Sequence, residues 1–442
     1  MKILIKNGHL VDPANSIDDK RDILIDDGKI VQVRRNILYE DNDDIHLINA
    51  SGNIVIPGLI DMHVHLREPG REDKETVATC TRAAAKGGFT GIVGMPNTTP
   101  VGDDQTVISY VYEKARKEGI VNVWAVGNIT KQGKGNELAQ VGDLVKAGAI
   151  AVSDDGSDIR NAVVMKRALE YLQKWGIPLI SHSEDADLAG EWAMHEGSIS
   201  TRLGLPGKPE AAEDVMISRQ ILLSEATGSP VHFTHVNTII GLELIKAAKK
   251  RKAKVSCDTC PHYFTLTDEA VIGYNPNAKM NPPLRPKEHV DSVIKALKED
   301  VIDCITTDHA PHLLVEKYRE FEECENGIVG LETSVPLVMD RLVNKKIISL
   351  NQMVRMMSWN PARILKLNKG TLSVGTDADV TIIDPKLVLE VDKDSFESKG
   401  KNTPFNGWKL KGWPVTTIVS GKIIYDHGKF VDYNEQHERI VP

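Results

Sequence analysis

Long apolar runs are missing from this chain of 442 residues. None approaches the roughly 20 residues that a membrane-crossing helix needs, and the opening stretch MKILIKNGHLVD lacks the apolar core of an export signal. Neither sign of charge is in great excess: 54 lysines and arginines stand against 62 aspartates and glutamates, for a net charge of -8. That balance argues against a nucleic-acid-binding surface and predicts ordinary solubility. Cysteines are few. The five, odd in number and scattered, argue against a disulfide framework and for a reducing compartment. Cys257 and Cys260 form a CxxC pair, but no second pair follows at zinc-finger spacing and Pro261 comes next, which disfavours a zinc or redox role there. The expectation is a cytoplasmic enzyme with no membrane and no nucleic-acid partner.

The first fifty or so residues read as short strands separated by turn signals, with Asp27-Gly28 as a hairpin turn. The far end, from DADVTIIDP onward, reads alike, with turns at Ser420-Gly421 and His427-Gly428. Between them the chain alternates brief apolar runs with longer segments carrying a helical apolar stripe, such as DKETVATCTRAAAKGG and KEHVDSVIKALKE. The runs are IVIPGLIDMHV at 54–64 and shorter ones at 91–95, 121–127, 149–153, 178–182, 230–235, 254–258 and 301–307. Eight strands with crossover helices predict a (β/α)8 barrel over 54–367. The flanking pieces, 1–53 and 368–442, then join as one small composite β-sandwich domain.

In such barrels chemistry gathers at the C-terminal ends of the strands. Unusual polar residues collect there: His63 and His65 on the first strand, Asn97 after the second, Asp154-Asp155 after the fourth, His182 on the fifth, His235 on the sixth, and Asp308, His309 and His312 after the eighth. On a strand, residues two apart share a face, so His63 and His65 aim into one space. Four histidines with two carboxylates suit two divalent ions of zinc type, with open positions for water. Two ions roughly 3.5–4 Å apart need a bridging ligand. Asp155 is favoured over Asp154 because the alternating set Ala149, Ala151, Ser153, Asp155 is small enough for a barrel interior, whereas Ile150 and Val152 suit the helix side.

DMHVHLREPG at 61–70 and TDHAPHLLVEK at 307–317 resemble the two signatures of the dihydroorotases in the amidohydrolase superfamily, bacterial class I branch. MPNTTP, KMNPPLR and GIVGLET match further landmarks, so the resemblance spans essentially the whole chain. It implies zinc ligands at His63, His65, His182, His235 and Asp308 and a bridge at Asp155, where many relatives carry a carboxylated lysine. It further implies substrate contacts from Arg67, Asn97, Asn281 and His312, and from backbone near Glu325 and Asn326. That last stretch departs from the family: ECEN stands where relatives often have an alanine-proline pair. The implied reaction interconverts N-carbamoyl-L-aspartate and L-dihydroorotate in pyrimidine biosynthesis, with a metal-activated hydroxide as nucleophile and Asp308 as general acid and base. Arg67 suits the substrate carboxylate because a guanidinium pairs with it in bidentate fashion. A homodimer is implied too. The rivals are another cyclic amidase, an allantoinase or hydantoinase, which differs at Arg67 and at the bridge, and an inactive scaffold for aspartate transcarbamoylase, which would have lost ligands.

Overall fold

A computed structural model describes residues 2–39 and 45–431; the last residues of the expected composite domain, 432–442, lie outside the described residues. The eight parallel strands of the barrel are β1 (Leu59–Val64), β2 (Phe89–Gly94), β3 (Asn122–Asn128), β4 (Ala151–Ser153), β5 (Leu179–Ser181), β6 (Val231–Phe233), β7 (Val255–Thr259) and β8 (Cys304–Ile305), each paired with the next in sequence. The ring closes where Val64 forms a parallel bridge with His309 and His65 N–H donates to the His309 carbonyl at 3.0 Å. The crossover helices include α1 (Val77–Lys86), α2 (Gln105–Glu118) and, between β7 and β8, α3 (Lys287–Lys298). Each turns its apolar stripe inward. In α3 the buried set is His289, Val290, Val293, Ala296 and Leu297, the spacing of one helical face. α1 begins later than its apolar pattern suggests: Thr76 caps it in a box with Thr79, so Asp73, Lys74 and Glu75 precede the helix. Among the described residues, no helix is long and apolar enough to cross a membrane.

The barrel interior is filled by Ile60, Met62, Val93, Trp124, Val126, Ala151, Ile180 and Cys304, with Ala362 and Leu365 packed among them. Gly91 exists for Trp124: a Cβ there would lie 2.4 Å from the indole ring. The neighbours that alternate with this set, such as Ile92, Val123 and Val152, join the larger cluster under the helices. On β4 the expected alternation holds for Ala151 and Val152 but not before them, because the strand starts only at Ala151: Ala149 belongs to the outer cluster and Ile150 packs against the inner one.

The apolar run 54–64 is two strands. Ile54–Pro57 pairs with Val380–Ile383, and β1 starts at Leu59. Gly58 makes the break: its N–H leaves for the Asp379 carbonyl at 2.8 Å, and a Cβ would meet Thr90 Oγ1 at 2.0 Å. The same pairing joins the chain's two β-rich ends. Ile54–Pro57 lies between Lys2–Asp12 and Val380–Glu390, so among the described residues the strands expected as a sandwich form one hydrogen-bonded nine-stranded sheet. All three expected hairpin turns are present, with left-handed φ at both central residues: Asp27 46° and Gly28 73°, Ser420 46° and Gly421 72°, His427 43° and Gly428 88°. The eighth run, 301–307, keeps only Cys304–Ile305 as strand.

Gly91→Ala is expected to destabilise the barrel by about 1–3 kcal/mol, the usual cost of overpacking. Thermal unfolding with unchanged far-ultraviolet circular dichroism would show it; an unaltered Tm would mean that Trp124 has room to move.

Candidate metal centre and substrate pocket

A small irregularity decides where β1 aims its histidines. Even-numbered Ile60 and Met62 face the barrel interior, and strict alternation would send His63 and His65 outward. The register against β2 slips between Asp61 and Val64, where Asp61 pairs with Ile92 and Val64 with Gly94. That extra residue is a bulge, and it reverses the alternation so that His63 and His65 turn inward, their ring centroids 5.3 Å apart. Arg67, His235 and Asp308 all adopt left-handed backbone, at φ 58°, 45° and 47°. Each such residue stores strain of order 1–3 kcal/mol, which the surrounding structure must hold.

Two donor groups result. His63, His65 and Asp155 form one; Asp155, His182 and His235 form the other, with the ligand atoms of each group within 4.8 Å of one another. Asp155 is common to both. Its Oδ1 lies 3.3 Å from His63 Nε2 and 3.8 Å from His182 Nδ1, and its Oδ2 3.7 Å from His65 Nε2. Asp308 joins them, its Oδ1 3.0 Å from His65 Nε2 and 3.4 Å from His63 Nε2. Asp154 points elsewhere, accepting from Asn128 Nδ2 at 3.2 Å and from the N–H groups of Ile129 and Thr130 at 3.1 Å.

Surrounding groups choose which nitrogen of each ring faces the centre. The Thr234 hydroxyl donates to Asp258 Oδ1 at 3.2 Å, so its oxygen accepts from His63 Nδ1 at 2.8 Å and Nε2 keeps its lone pair. Asn97 Nδ2 donates to Asp155 at 3.1 Å, which sets its oxygen to accept from His65 Nδ1 at 2.9 Å. Glu184 Oε2 lies 3.3 Å from His182 Nε2 and leaves His182 Nδ1 turned inward, 2.9 Å from His235 Nε2. Such outer partners fix ring orientation at metal sites. His63 Nε2 is buried without a hydrogen-bond partner. An unpartnered nitrogen, convergent imidazole lone pairs and a shared carboxylate fit a divalent cation better than they fit one another.

The two buried carboxylates draw positive charge into the centre, which a proton on His63 can supply in place of a cation. Burial disfavours charge on His63, yet Asp155 and Asp308 raise its pKa to about 10. Burial and the neighbouring His182 push His235 down to about 3. Against the effect of burial, His63, His65 and His182 hold the Asp155 carboxyl well below the usual range.

The centre opens into a cavity of about 260 Å³ lined by His65, Asp155, His182, His235 and Asp308 and by Arg67, Asn97, Asn281, His312, Glu325 and Asn326. Of the residues given a ligand or substrate role from the sequence, His63 alone lies behind the wall, 1 % exposed. Asn97 and Asn281 are already engaged, Asn97 with His65 and Asp155, Asn281 with Glu184 at 3.2 Å and Lys208 at 2.8 Å. Arg67 donates through Nε to the Pro311 carbonyl at 3.2 Å. The loop carrying Glu325 is tied down by two ammonium groups: Lys317 donates to the Glu325 carbonyl at 2.7 Å, and Lys279 to the Glu322 and Cys324 carbonyls at 2.8 Å. Sequence reasoning missed Thr234, Asp258, Glu184, Lys208, Lys74 and Asn402, because none carries a motif that foretells its partner. All five cysteines are free and buried, with Cys257 Sγ on the Val301 carbonyl and Cys260 Sγ on Thr306, so the CxxC pair is structural.

A (β/α)8 barrel with a buried His/Asp centre at its strand ends defines a hydrolase class equipped to hold a metal. The sequence profile of the Amidohydrolase family matches residues 54–424. Proteins named dihydroorotase from Geobacter sp. (strain M21) and Citrifermentans bemidjiense are 50 % and 51 % identical, over 97 % and 96 % of this chain and 100 % of each relative. The chain therefore belongs to the amidohydrolase family, on its dihydroorotase branch. Among solved structures, an L-hydantoinase (dihydropyrimidinase) from Arthrobacter aurescens superposes with a TM-score of 0.88 at 26 % identity, covering 97 % of each chain. A dihydropyrimidinase from Brevibacillus agri, at 24 % identity and a TM-score of 0.85 over 98 % of this chain and 96 % of its own, shares the fold.

Thr234→Val keeps shape and removes the acceptor on His63. Metal affinity is expected to fall about 10- to 100-fold, read by competition with a chromogenic chelator; unchanged affinity would leave Thr234 a packing residue.

Proposed function

We propose that this protein is a dihydroorotase, opening the ring amide of L-dihydroorotate to N-carbamoyl-L-aspartate and closing it in reverse, as a cytoplasmic step of pyrimidine synthesis. The observation that carries the reading is one small cavity holding both the Asp155-centred donor set and the Arg67 guanidinium. Relatives at about 50 % identity bear that name. The structural neighbours named hydantoinase favour the rival amidase reading, and Arg67 weighs against it, since the L-dihydroorotate ring bears a carboxylate for it to bind.

His63, His65, His182, His235, Asp155 and Asp308 would hold divalent ions of zinc type, Asp155 being common to both donor groups. Such ions, when bound, polarise the amide carbonyl and lower the pKa of water. Arg67 and His312 take the substrate carboxylate, orienting the ring so that its amide faces the donor set. Asn281, Asn97 and the backbone at Glu325 and Asn326 line the rest of the ring's surroundings. Against burial, His63 and His65 hold the Asp308 carboxyl in its anionic form. It accepts the proton of the attacking water and passes it to the leaving nitrogen.

Zinc-loaded protein should hydrolyse L-dihydroorotate and leave allantoin and dihydrouracil untouched. Arg67→Ala should lose about 100-fold or more in kcat/KM, the effect of removing a charge-assisted anchor. Dialysis against a chelator should abolish turnover and added zinc restore it. Comparable rates on all three rings, or an Arg67→Ala variant as active as the parent, would move the assignment to another cyclic amidase.

A further inference from the structure

Lys74 stands outside the donor set, in the segment between β1 and α1, and is only 4 % exposed. Its ammonium lies 2.9 Å from Glu316 Oε2 and 3.2 Å from His312 Nδ1, with Glu325 Oε1 3.8 Å away. On the opposite side of the same ring, Arg67 Nη2 lies 3.1 Å from His312 Nε2. Ammonium and guanidinium groups only donate, and a neutral imidazole has one accepting nitrogen. One of the two contacts is therefore a hydrogen bond, and the other sets two N–H groups against each other.

The anchoring of the partners decides which. Glu316 Oε2 holds the ammonium and lies 3.6 Å from His312 Nδ1, outside hydrogen-bond distance, and Glu316 is itself held by Arg71 Nη2 at 2.8 Å. Lys74 thus reaches the Glu316 carboxylate and His312 Nδ1 together, and it is the nearer of the two to Nδ1. Arg67 already has an acceptor in the Pro311 carbonyl, and both Arg67 and His312 line the cavity. The His312 backbone is fixed as well, its N–H donating to Asn402 Oδ1 at 3.0 Å.

We infer that Lys74 is a positioning residue that fixes His312 as its Nε2–H tautomer, so that His312 and Arg67 present adjacent N–H groups to one anionic oxygen. Burial together with Arg67, Lys74 and Lys317 keeps the His312 imidazole far below its ordinary pKa, which agrees with a neutral ring. Two donors facing each other at 3.1 Å are unfavourable until an acceptor arrives, and a carboxylate oxygen beside the pair, within hydrogen-bond distance of each nitrogen, satisfies both. The tautomer rests on Lys74 at 3.2 Å outcompeting Glu316 Oε2 at 3.6 Å for His312 Nδ1, and its use in binding rests on the dihydroorotase reading.

The test uses the zinc-loaded full chain with 15N-labelled histidine. Two-bond 1H–15N correlations of His312, assigned by comparison with His312→Gln, should show the Nε2–H pattern in the parent. Lys74→Met should lose that pattern, and Lys74→Arg should restore it. In parallel, Lys74→Met should raise KM for L-dihydroorotate about 10- to 100-fold, the loss of one charge-assisted hydrogen bond, with kcat within about threefold and zinc content unchanged. An Nδ1–H pattern in the parent overturns the inference without any variant, so a Lys74→Met protein that fails to fold does not shelter it. An unchanged KM in a folded Lys74→Met variant overturns it too. A parent that shows the Nε2–H pattern yet turns over no dihydroorotate defeats the proposed activity and leaves the role of Lys74 standing.

Discussion

The Asp155 carboxylate sits where imidazoles from three separate strand ends converge, and the rest of the site is arranged around it. A buried anion is costly unless it is paired and hydrogen-bonded. Here its two oxygens face His63 and His182 on one side and His65 and Asn97 on the other. The rings supply lone pairs as well as compensation, and lone pairs turned toward one another are tolerable only with a cation among them. His182 Nδ1 and His235 Nε2, 2.9 Å apart, share a hydrogen bond when one of them carries a proton and face a cation together when neither does.

Much of the surrounding structure selects ring nitrogens. Asp258 is the hub beneath the rim: it takes Thr234 and Thr306 hydroxyls, the His235 N–H at 2.7 Å and His232 Nε2 at 2.8 Å. Through Thr234 it sets His63. Asn97 and Glu184 do the same for His65 and His182, and Lys74 does so on the substrate side for His312. Each link is a modest interaction, but each closes off a tautomer that would put an N–H where a lone pair, or a donor, is needed. The composite sheet takes part through the strand-free segment after it turns back: Asn402 donates to the Ala310 and Gly327 carbonyls at 2.9 and 3.0 Å while accepting from His312 N–H, binding the pocket's wall to the chain's C-terminal part.

The barrel gives these groups a rigid base. Its interior is packed below the rim, and irregular backbone recurs at the strand ends that carry the site: the bulge at β1 and the left-handed residues Arg67, His235 and Asp308. Departures from ideal geometry at the rim aim side chains that regular strands would send elsewhere. The bulge shows why the HxH pair was legible for a partly mistaken reason. Two residues two apart do share a face, but without the extra residue that face would have been the outer one.

What the sequence by itself determined was local or periodic. Asp27-Gly28, Ser420-Gly421 and His427-Gly428 favour left-handed backbone wherever they stand, so the hairpins were readable. The recurrence of histidine and aspartate after apolar runs placed His65, Asp155, His182, His235, Asp308 and His312 around one cavity, because strand ends of a parallel barrel share one rim, whereas Asn281, Glu325 and Asn326 came from the family resemblance. Tertiary structure decided the rest. Gly58 splits an unbroken apolar run because Thr90 and Asp379 approach it, and Asp154 turns aside because Asn128 and Thr130 claim it. Lys74 lay in what read as the start of a helix, and only the distant Glu316 and His312 draw it under the pocket. A donor's chemical type is written in its own residue. Its direction, tautomer and charge are set by neighbours hundreds of positions away, and those exist only once the barrel has closed.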